Sequence, residues 1–249
     1  MKKLLYILLI SFGFSATAQN ASTIQQLLDE GVTVGELLDA GISVNEFYGL
    51  ECQGGLIIDI DTLEGVGKVV QDYSGFSENW VKYEDNLQPS FLGANSTTDG
   101  LFNTNLMAQQ TYSEDNIGLV AQASSYNGFN DWYVPTVDEA LAICSLYDSR
   151  KIHTSANNAQ YNWGNLWTSE EISADSAYYV DNHGLNPNEV IASQKENSQG
   201  VVFVRRFDIN SNDELINTQQ LLDEGVTVGE LLDAGISVNE FYGLKCQGG

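Results

Sequence analysis

The spacing of apolar residues predicts several short strands, one long helix and two groups of short helices. Short runs rich in β-branched residues and bounded by Gly, Asn, Asp and Ser are typical of strands, and the clearest are residues 56–60, 68–71, 117–121, 178–180 and 201–204. Residues 88–115 and 152–162 are polar and lack a regular apolar spacing, so we predict long loops there. Because the strands do not alternate with helices in βαβ order, the predicted fold class is α+β.

One long amphipathic helix is predicted to begin near Val137. Thr136 and Glu139 stand three residues apart before an apolar run, which is the pattern of a reciprocal capping box at a helix N-terminus. Pro135 keeps the residue before it extended, so the chain enters the helix from a strand-like segment that contains Trp132. The apolar positions recur at spacings of three and four residues: Val137, Ala140, Leu141, Cys144 and Tyr147. We expect this face to pack against a sheet and Trp132 to lie in the core.

A segment near the start of the sequence returns almost unchanged at its end. Residues 25–55 are repeated as residues 219–249 with a single difference, Glu51 in the first copy and Lys245 in the second. Each copy has a ten-residue rhythm in which a capping residue begins a unit and a glycine ends it. The predicted caps are Thr23, Thr33, Ser43, Asn217, Thr227 and Ser237, and the predicted stops are Gly31, Gly41, Gly49, Gly225, Gly235 and Gly243. We therefore predict a small all-helical segment for each copy.

Helices this short are unstable alone, so the copies must pack on something. The apolar surface available in the first copy consists of Leu27, Leu28, Val34, Leu37, Leu38, Val44, Phe47 and Tyr48. Two interpretations stay open: a compact spacer, or a docking segment through which the protein associates with itself. The two copies are more similar in sequence than packing requirements alone would preserve, which indicates duplication of a spacer-plus-domain unit. We expect the chain to be one unit of a tandem array.

The first 18 residues have the features of a cleaved secretory signal peptide. Lys2 and Lys3 precede an apolar run over residues 4–14, and Ala16 and Ala18 provide a small-residue cleavage site. No apolar stretch reaches the roughly 20 residues that a transmembrane helix needs. We expect an exported protein that is extracellular, on the cell surface or periplasmic. The predicted organisation is a signal peptide (1–18), a short-helix segment (19–53), a central domain (54–210) and a second short-helix segment (211–249).

Acidic residues outnumber basic ones throughout the chain. There are 34 Asp and Glu against 10 Lys and Arg, and the formal net charge is −24. Nucleic acids and anionic membranes need a basic surface, so the charge excludes both as partners and favours a neutral ligand. His153 and His183 have no acidic or Cys neighbours at ligand spacing, and no EF-hand-like loop occurs, so we predict no metal site and no cofactor.

The chain has three cysteines, which is an odd number for an exported protein. Cys144 lies on the apolar helix face and is expected to behave as a small buried hydrophobic residue. Cys52 and Cys246 occupy equivalent places in the two copies. They could pair with each other or with a neighbouring chain, and the sequence leaves this open.

Several motifs together resemble a known domain family. Gly128, Asp131, Trp132, Pro135, Thr136 and Glu139 resemble the signature G-x-x-D-W-x-L-P-[ST]-x-x-E-L of the Lcl C-terminal domain family, a domain of unknown function with a C-type-lectin-like fold. LWTSEE at residues 166–171 resembles the YWSSTE motif, and VVFVRRF at residues 201–207 resembles VRAVRAF. The likeness covers residues 54–207. It departs at Val202, where the family pattern has Arg, and over 121–125, where a Cys is often found.

This resemblance implies a twisted antiparallel sheet, one main helix and long loops. It also implies structural roles for the motif residues: Trp167 fills the core, Ser169 or Glu170 ties a loop, and Arg205 or Arg206 forms a salt bridge with Asp131 or Glu170. The adjacent carboxylates of Glu170 and Glu171 could instead act as acid and base. In a strand, however, they would point to opposite faces.

The predicted function is non-catalytic binding or adhesion, in which the loops of an exported lectin-like domain hold a neutral surface glycan or a protein ligand. The aromatic residues predicted to contact it are Trp80, Tyr126, Tyr161 and Trp163. One alternative is an enzyme on the related scaffold of the sulfatase-modifying enzymes, which work through a pair of cysteines. Cys144 has no such partner within the central domain. The other alternative is a purely structural unit of a tandem surface array.

Overall fold

Two curled sheets form the centre of the molecule. The computed structural model describes residues 21–71, 76–82, 90–109, 116–148, 165–181, 188–211 and 227–233. The first sheet contains β1 (Glu51–Cys52), β2 (Gly55–Asp61), β3 (Val66–Val70) and β9 (Val204–Asp208), in the order β1-β2-β3-β9. The second contains β4 (Phe76–Asn79), β5 (Asn165–Glu171), β6 (Ser176–Asp181), β7 (Glu189–Gln194) and β8 (Ser198–Val201), in the order β4-β8-β5-β6-β7.

The strand pairings are antiparallel, apart from a short parallel contact between β5 and β8 at Leu166 and Gly200. The helices are α1 (Ala21–Asp29), α2 (Val34–Asp39), α3 (Gly100–Ala108), α4 (Ile117–Ala123), α5 (Val137–Asp148) and α6 (Val228–Asp233), with a 3-10 turn at Val44–Glu46. The α+β class is therefore confirmed. The predicted strand at 201–204 is divided, because Val202 and Phe203 carry the chain from one sheet to the other as buried non-strand residues.

The long helix α5 begins where the capping pattern predicts. The Thr136 backbone N–H donates to Glu139 Oε2 at 2.9 Å, and the Glu139 N–H donates to Thr136 Oγ1 at 3.3 Å. Its buried face is made by Ala140, Ile143 and Cys144 and packs against β2, β5 and β6. This face is rotated from the predicted one, because Val137, Leu141 and Tyr147 are only half-buried. The sheet contact itself is confirmed.

Strand β2 is buried on both faces. Leu56 and Ile58 pack with α5, whereas Ile57 and Ile60 belong to the other core cluster. The register shift between Ile57 and Asp59 explains why residues three apart share a face. A strand buried on both sides has few polar positions, which is why it was recognisable in the sequence.

The first copy of the repeat packs into the same core as the central strands. Leu27, Leu37 and Phe47 of this copy, and Ile24 directly before it, are buried in one cluster with Ile57, Val69, Phe207 and Ile209. The predicted boundary between residues 53 and 54 falls inside the β1–β2 hairpin, so the copy also contributes a strand to the first sheet.

The caps and stops of the first copy are mostly as predicted. Thr33 forms a complete capping box with Glu36, and the Ser43 N–H donates to Glu46 Oε2. The stop glycines all have positive φ: Gly31 at 82°, Gly41 at 92° and Gly49 at 85°. The prediction for Thr23 is wrong, because α1 runs Ala21–Asp29 and Thr23 lies inside it.

Two further predictions are wrong. Residues 117–121 form part of α4 and not a strand, since the Asn116 side chain accepts from the Leu119 N–H and caps a helix there. The stretch 88–115 contains α3, capped by Asp99, so it is not a continuous loop and α5 is not the one main helix. The predicted loop at 152–162 and the predicted signal peptide at 1–18 lie outside the described residues.

In the second copy, α6 is capped by Thr227, which forms the same box with Glu230 as Thr33 does with Glu36. Asn217 and Ser237, together with the three predicted stop glycines of this copy, lie outside the described residues. Within the described ranges, no helix is both long enough and apolar enough to cross a bilayer.

Candidate functional site

The predicted contact aromatics are placed very differently. Trp80 is fully buried, donates from Nε1 to the Thr168 carbonyl oxygen at 2.9 Å and lies under the Lys195 ammonium at 4.5 Å. Its ring offers no surface to an outside ligand, so this assignment is wrong. Tyr161 and Trp163 lie outside the described residues. Tyr126 is half-buried and lines a cleft.

This cleft has a volume of about 350 Å³ and is the candidate site. It lies where the end of α1, the β1–β2 hairpin and the turn after Ser125 meet. The residues that line it are Leu28, Asp29, Glu51, Cys52, Gln53, Gly54, Gly55, Tyr126 and Asn127. We call it the hairpin cleft.

Two tight turns packed on each other form the floor of the hairpin cleft. The β1–β2 turn has positive φ at Gln53 (42°) and Gly54 (88°), and the facing turn has positive φ at Asn127 (50°) and Gly128 (89°). Consecutive residues of this kind suit a two-residue hairpin turn. The Asn127 side chain donates from Nδ2 to the Gly54 carbonyl oxygen at 3.1 Å. A Cβ on Gly54 would lie 2.4 Å from the Phe129 ring, so only glycine permits this approach.

Arg205 contacts both turns of the cleft floor. It is fully buried, and its Nε and Nη2 donate to the two Asp131 carboxylate oxygens at 2.6 and 3.0 Å. Its Nη1 donates to the Gln53 carbonyl oxygen at 2.9 Å, and the guanidinium lies 3.8 Å from the centre of the Phe129 ring. The sequence left open whether Arg205 or Arg206 pairs with Asp131 or Glu170; in the structure Arg205 pairs with Asp131, whereas Arg206 pairs with Asp99. A bidentate, buried pair of this kind fixes the backbone of the cleft floor.

The first repeat copy supplies one wall of the hairpin cleft. Gln25 binds the backbone of Glu51 in both directions, donating from Nε2 to its carbonyl oxygen at 3.0 Å and accepting from its N–H at 2.8 Å. This pair holds the end of α1 beside β1 and brings Leu28 and Asp29 to the cleft. Sequence reasoning missed these residues, because it treated the copy as a spacer outside the central domain.

Polar acceptors dominate the chemistry of the hairpin cleft. The carboxylates of Asp29 and Glu51 are exposed at its rim. The Gln53 side-chain oxygen is buried and has no hydrogen-bond partner among the described residues, so a donor that reached it would be stabilised. Burial raises the pKa of the Cys52 thiol to about 12, although nearby Arg205 acts in the opposite direction. Cys52 is therefore a protonated, weakly nucleophilic thiol at neutral pH.

Glu170 and Glu171 are both buried, and each serves a different part of the fold. Glu170 Oε1 accepts from the Val137 N–H at 2.9 Å, at the start of α5. Glu171 Oε2 accepts from the N–H groups of Leu92 and Gly93 at 2.7 and 2.9 Å, and Oε1 pairs with the buried Lys195. The two carboxylates do not share a partner. Each one binds backbone N–H groups of a neighbouring segment, which is a structural role and not that of an acid–base pair.

The remaining motif residues are also internal. Trp167 is fully buried and donates to the Glu78 carbonyl oxygen at 3.0 Å. The Ser169 N–H donates to the Pro135 carbonyl oxygen at 2.7 Å, and Ser169 Oγ accepts from Asn103 Nδ2 at 3.1 Å. Glu139 accepts from the Tyr133 hydroxyl at 2.9 Å as well as from the Thr136 backbone. Ser169 and Glu170 thus tie β5 to the start of α5.

The described residues contain no group of three or more His, Cys, Asp or Glu arranged to hold a metal ion. His153, His183 and Cys246 lie outside them, so the predictions for these residues stay predictions. Cys144 is buried on the inner face of α5 as expected.

Comparison with known proteins leaves the chain without a family assignment. No protein-family model matches it, and no curated protein is similar enough to count as a match. The resemblance that begins at Gly128 therefore stays a prediction.

Proposed function

We propose that this is an exported, non-catalytic binding protein whose hairpin cleft holds a neutral, hydroxyl-rich ligand such as a glycan. The observation that carries the proposal is the combination of the Tyr126 ring with the carboxylates of Asp29 and Glu51 around one cleft. Carboxylates accept hydrogen bonds from hydroxyl groups, and amides both donate to them and accept from them. The tyrosine side chain adds an apolar face with a polar tip. The lectin-like fold implied by the motif resemblance is part of this proposal.

The size and charge of the cleft set the ligand class. A volume of about 350 Å³ is at the small end of ligand pockets, which run from roughly 300 to 1,000 Å³, so it suits a small molecule or the end group of a longer chain. With a net charge of −24 the protein repels anions, and the two rim carboxylates add local repulsion. A neutral end group is repelled neither by the net charge of the protein nor by the two rim carboxylates.

The rigidity of the cleft floor supports binding in place of catalysis. The Arg205–Asp131 pair and the Asn127–Gly54 bond hold both turns before any ligand arrives, which lowers the ordering cost of binding. The enzyme alternative has less support, because burial raises the pKa of the Cys52 thiol and Cys144 is buried on the inner face of α5.

The experiment is a screen of the purified protein against neutral, sialylated and sulfated glycans, followed by calorimetry on the best neutral ligand. We expect Tyr126→Ala to weaken binding by at least about ten-fold, which corresponds to about 1.4 kcal/mol. Glu51→Lys should also weaken it while leaving the fold intact, because Gln25 binds only the backbone of Glu51. Phe91→Ala is the matched control, since Phe91 is 54% exposed and is not among the cleft residues.

A preference for sulfated or sialylated glycans would contradict the proposal. So would unchanged affinity in Tyr126→Ala and Glu51→Lys, provided that both variants melt as the wild type does. Absence of any neutral ligand, together with turnover of a substrate, would favour the enzyme instead.

A further inference from the structure

The first repeat copy occupies a defined surface of the central strands. Its covering side chains include Leu27, Leu37 and Phe47, all buried. The surface that they cover is formed by β2, β3, β9 and the turn after β9, through Ile57, Val69, Phe207, Ile209 and Asn210. We call this the docking surface.

One glycine of the first copy lies directly against the docking surface. The Gly35 N–H donates to the Ile209 carbonyl oxygen at 2.6 Å. A Cβ on Gly35 would lie 2.2 Å from Asn210 Oδ1 and 3.1 Å from the Ile209 carbonyl oxygen. A side chain at this position therefore requires the exposed Asn210 side chain to rotate away, and a β-branched residue also crowds the Ile209 carbonyl oxygen, which weakens the packing of α2 on the docking surface.

The second copy carries the same groups. Gly229, Leu231 and Phe241 stand where the first copy has Gly35, Leu37 and Phe47. The one difference within the repeat, Lys245 for Glu51, falls on an exposed side chain whose contacts to Gln25 are made by the backbone. Every docking contact named above is thus available to the second copy.

Yet the described helix of the second copy is not docked in this way. Val34 is 2% exposed and Gly35 is buried, whereas Val228 is only half-buried and Gly229 is exposed. Among the described residues beyond its chain neighbours and its own helix backbone, the atom nearest to a Cβ on Gly229 is Thr227 Oγ1, at 3.9 Å. The helix and its cap are formed, but Gly229, the counterpart of the buried Gly35, is exposed.

We propose that residues 219–249 are a second docking segment for this same surface, so that the two copies are interchangeable occupants of one site. The first copy holds the site in the wild type for two reasons. It is joined to β2 by a two-residue turn, which gives it a high effective concentration. The residue directly before it, Ile24, is also fully buried, whereas Thr218 stands directly before the second copy. The second copy binds when the first is displaced, either in the same molecule or in a second copy of this chain.

Exchange also changes the hairpin cleft, a consequence that rests on the proposed function. Leu222, Asp223 and Cys246 would replace identical residues at the cleft, whereas Lys245 would replace Glu51. The single difference between the copies therefore lies at the rim of the candidate binding site and replaces an acid with a base.

The test is a double-mutant cycle on the full chain with Gly35→Val, Gly229→Val and the double variant. In the wild-type background, we expect Gly229→Val to change the melting temperature by less than about 1 °C. In the Gly35→Val background, it should lower the melting temperature by about 3–6 °C, because it removes the replacement segment. Hydrogen exchange of residues 228–233 should slow at least about ten-fold in Gly35→Val. Light scattering distinguishes the two routes: a monomer means exchange within the molecule, and a dimer means exchange between molecules.

The proposal is overturned if Gly229→Val has the same small effect in both backgrounds and exchange at 228–233 is unchanged. Complete unfolding of Gly35→Val would also count against it, since the second copy would then have failed to replace the first. If Gly35→Val unfolds, the cycle is repeated with Gly35→Ala, which adds a smaller side chain. If the double-mutant cycle gives the expected result but the protein binds no glycan, the proposed function is contradicted. The proposal that the two copies are interchangeable is then unaffected.

Discussion

Trp132 shows how one side chain joins the helix entry to the core. It is 1% exposed, donates from Nε1 to the Phe129 carbonyl oxygen at 3.0 Å and lies edge-on to Tyr126, with ring centres 5.9 Å apart. Truncation removes a large buried ring and leaves a cavity next to the hairpin cleft. We expect Trp132→Ala to lower the free energy of unfolding by about 3–5 kcal/mol, measured by urea denaturation.

Phe91→Ala is the control for this measurement, because Phe91 is a large aromatic residue that is 54% exposed. Its effect should stay within about 0.5 kcal/mol. If the Trp132→Ala protein unfolds at the wild-type urea midpoint, then Trp132 does not stabilise the core.

At the level of elements, Glu170 joins β5 to the N-terminus of α5. Burial raises its pKa, the bond from the Val137 N–H lowers it, and the nearby charges of Asp138 and Glu139 raise it again. The pKa in the folded state is therefore above that in the unfolded state. A raised pKa means that the stabilisation is complete below the unfolded value and is lost as pH rises through the folded value. Near neutral pH, ionised Glu170 costs stability.

Glu170→Gln removes that cost and keeps an oxygen to accept from Val137. We expect the variant to be more stable than the wild type at pH 7, and the difference to disappear as the pH falls below the ordinary glutamate pKa of about 4.3. Urea denaturation between pH 4 and pH 7 measures it. The same series in high salt is the control, because salt screens Asp138 and Glu139 but does not reverse burial. A difference that grows toward low pH would contradict the assignment.

Across the whole molecule, acidic charge exceeds what the basic residues can neutralise. In the described part of the chain, salt bridges engage Lys68, Lys82, Lys195, Arg205 and Arg206, each with an Asp or Glu. The surplus of acids leaves a net charge of −24, and repulsion between them opposes the compact state.

Screening should therefore stabilise the protein. We expect the melting temperature to rise by a few degrees, about 2–5 °C, when NaCl increases from about 10 to 200 mM, because the Debye length falls from about 30 Å to below 10 Å. A melting temperature that is flat or falls over this range would mean that the surplus acids do not repel one another in the folded state. Thermal unfolding in an uncharged osmolyte separates screening from solute exclusion.

The sequence by itself determined the features that depend on neighbouring residues. Thr136 and Glu139 located the start of α5, and Thr33 with Gly41 bounded α2, because caps and positive-φ glycines act within a few residues. Strands β2, β3 and β6 were recognisable from their local apolar pattern, whereas β1, β4, β5 and β7 were not among the predicted strands. The Asp131–Arg205 bridge was only one of several pairings that the sequence left open, since its members are far apart in the chain.

Tertiary structure decided everything that depends on what packs where. The run at 117–121 is a helix because Asn116 caps it and Gly118 lies close against Met107 of α3, where a Cβ would be only 2.6 Å away, and an apolar run of five residues cannot by itself distinguish helix from strand. Trp80 was expected at the surface but is buried with Lys195, and Leu28 and Asp29 reach the cleft only because the first repeat copy joins the core. Burial and convergence are long-range properties, so identical repeat sequences can be docked in one place and uncovered in another.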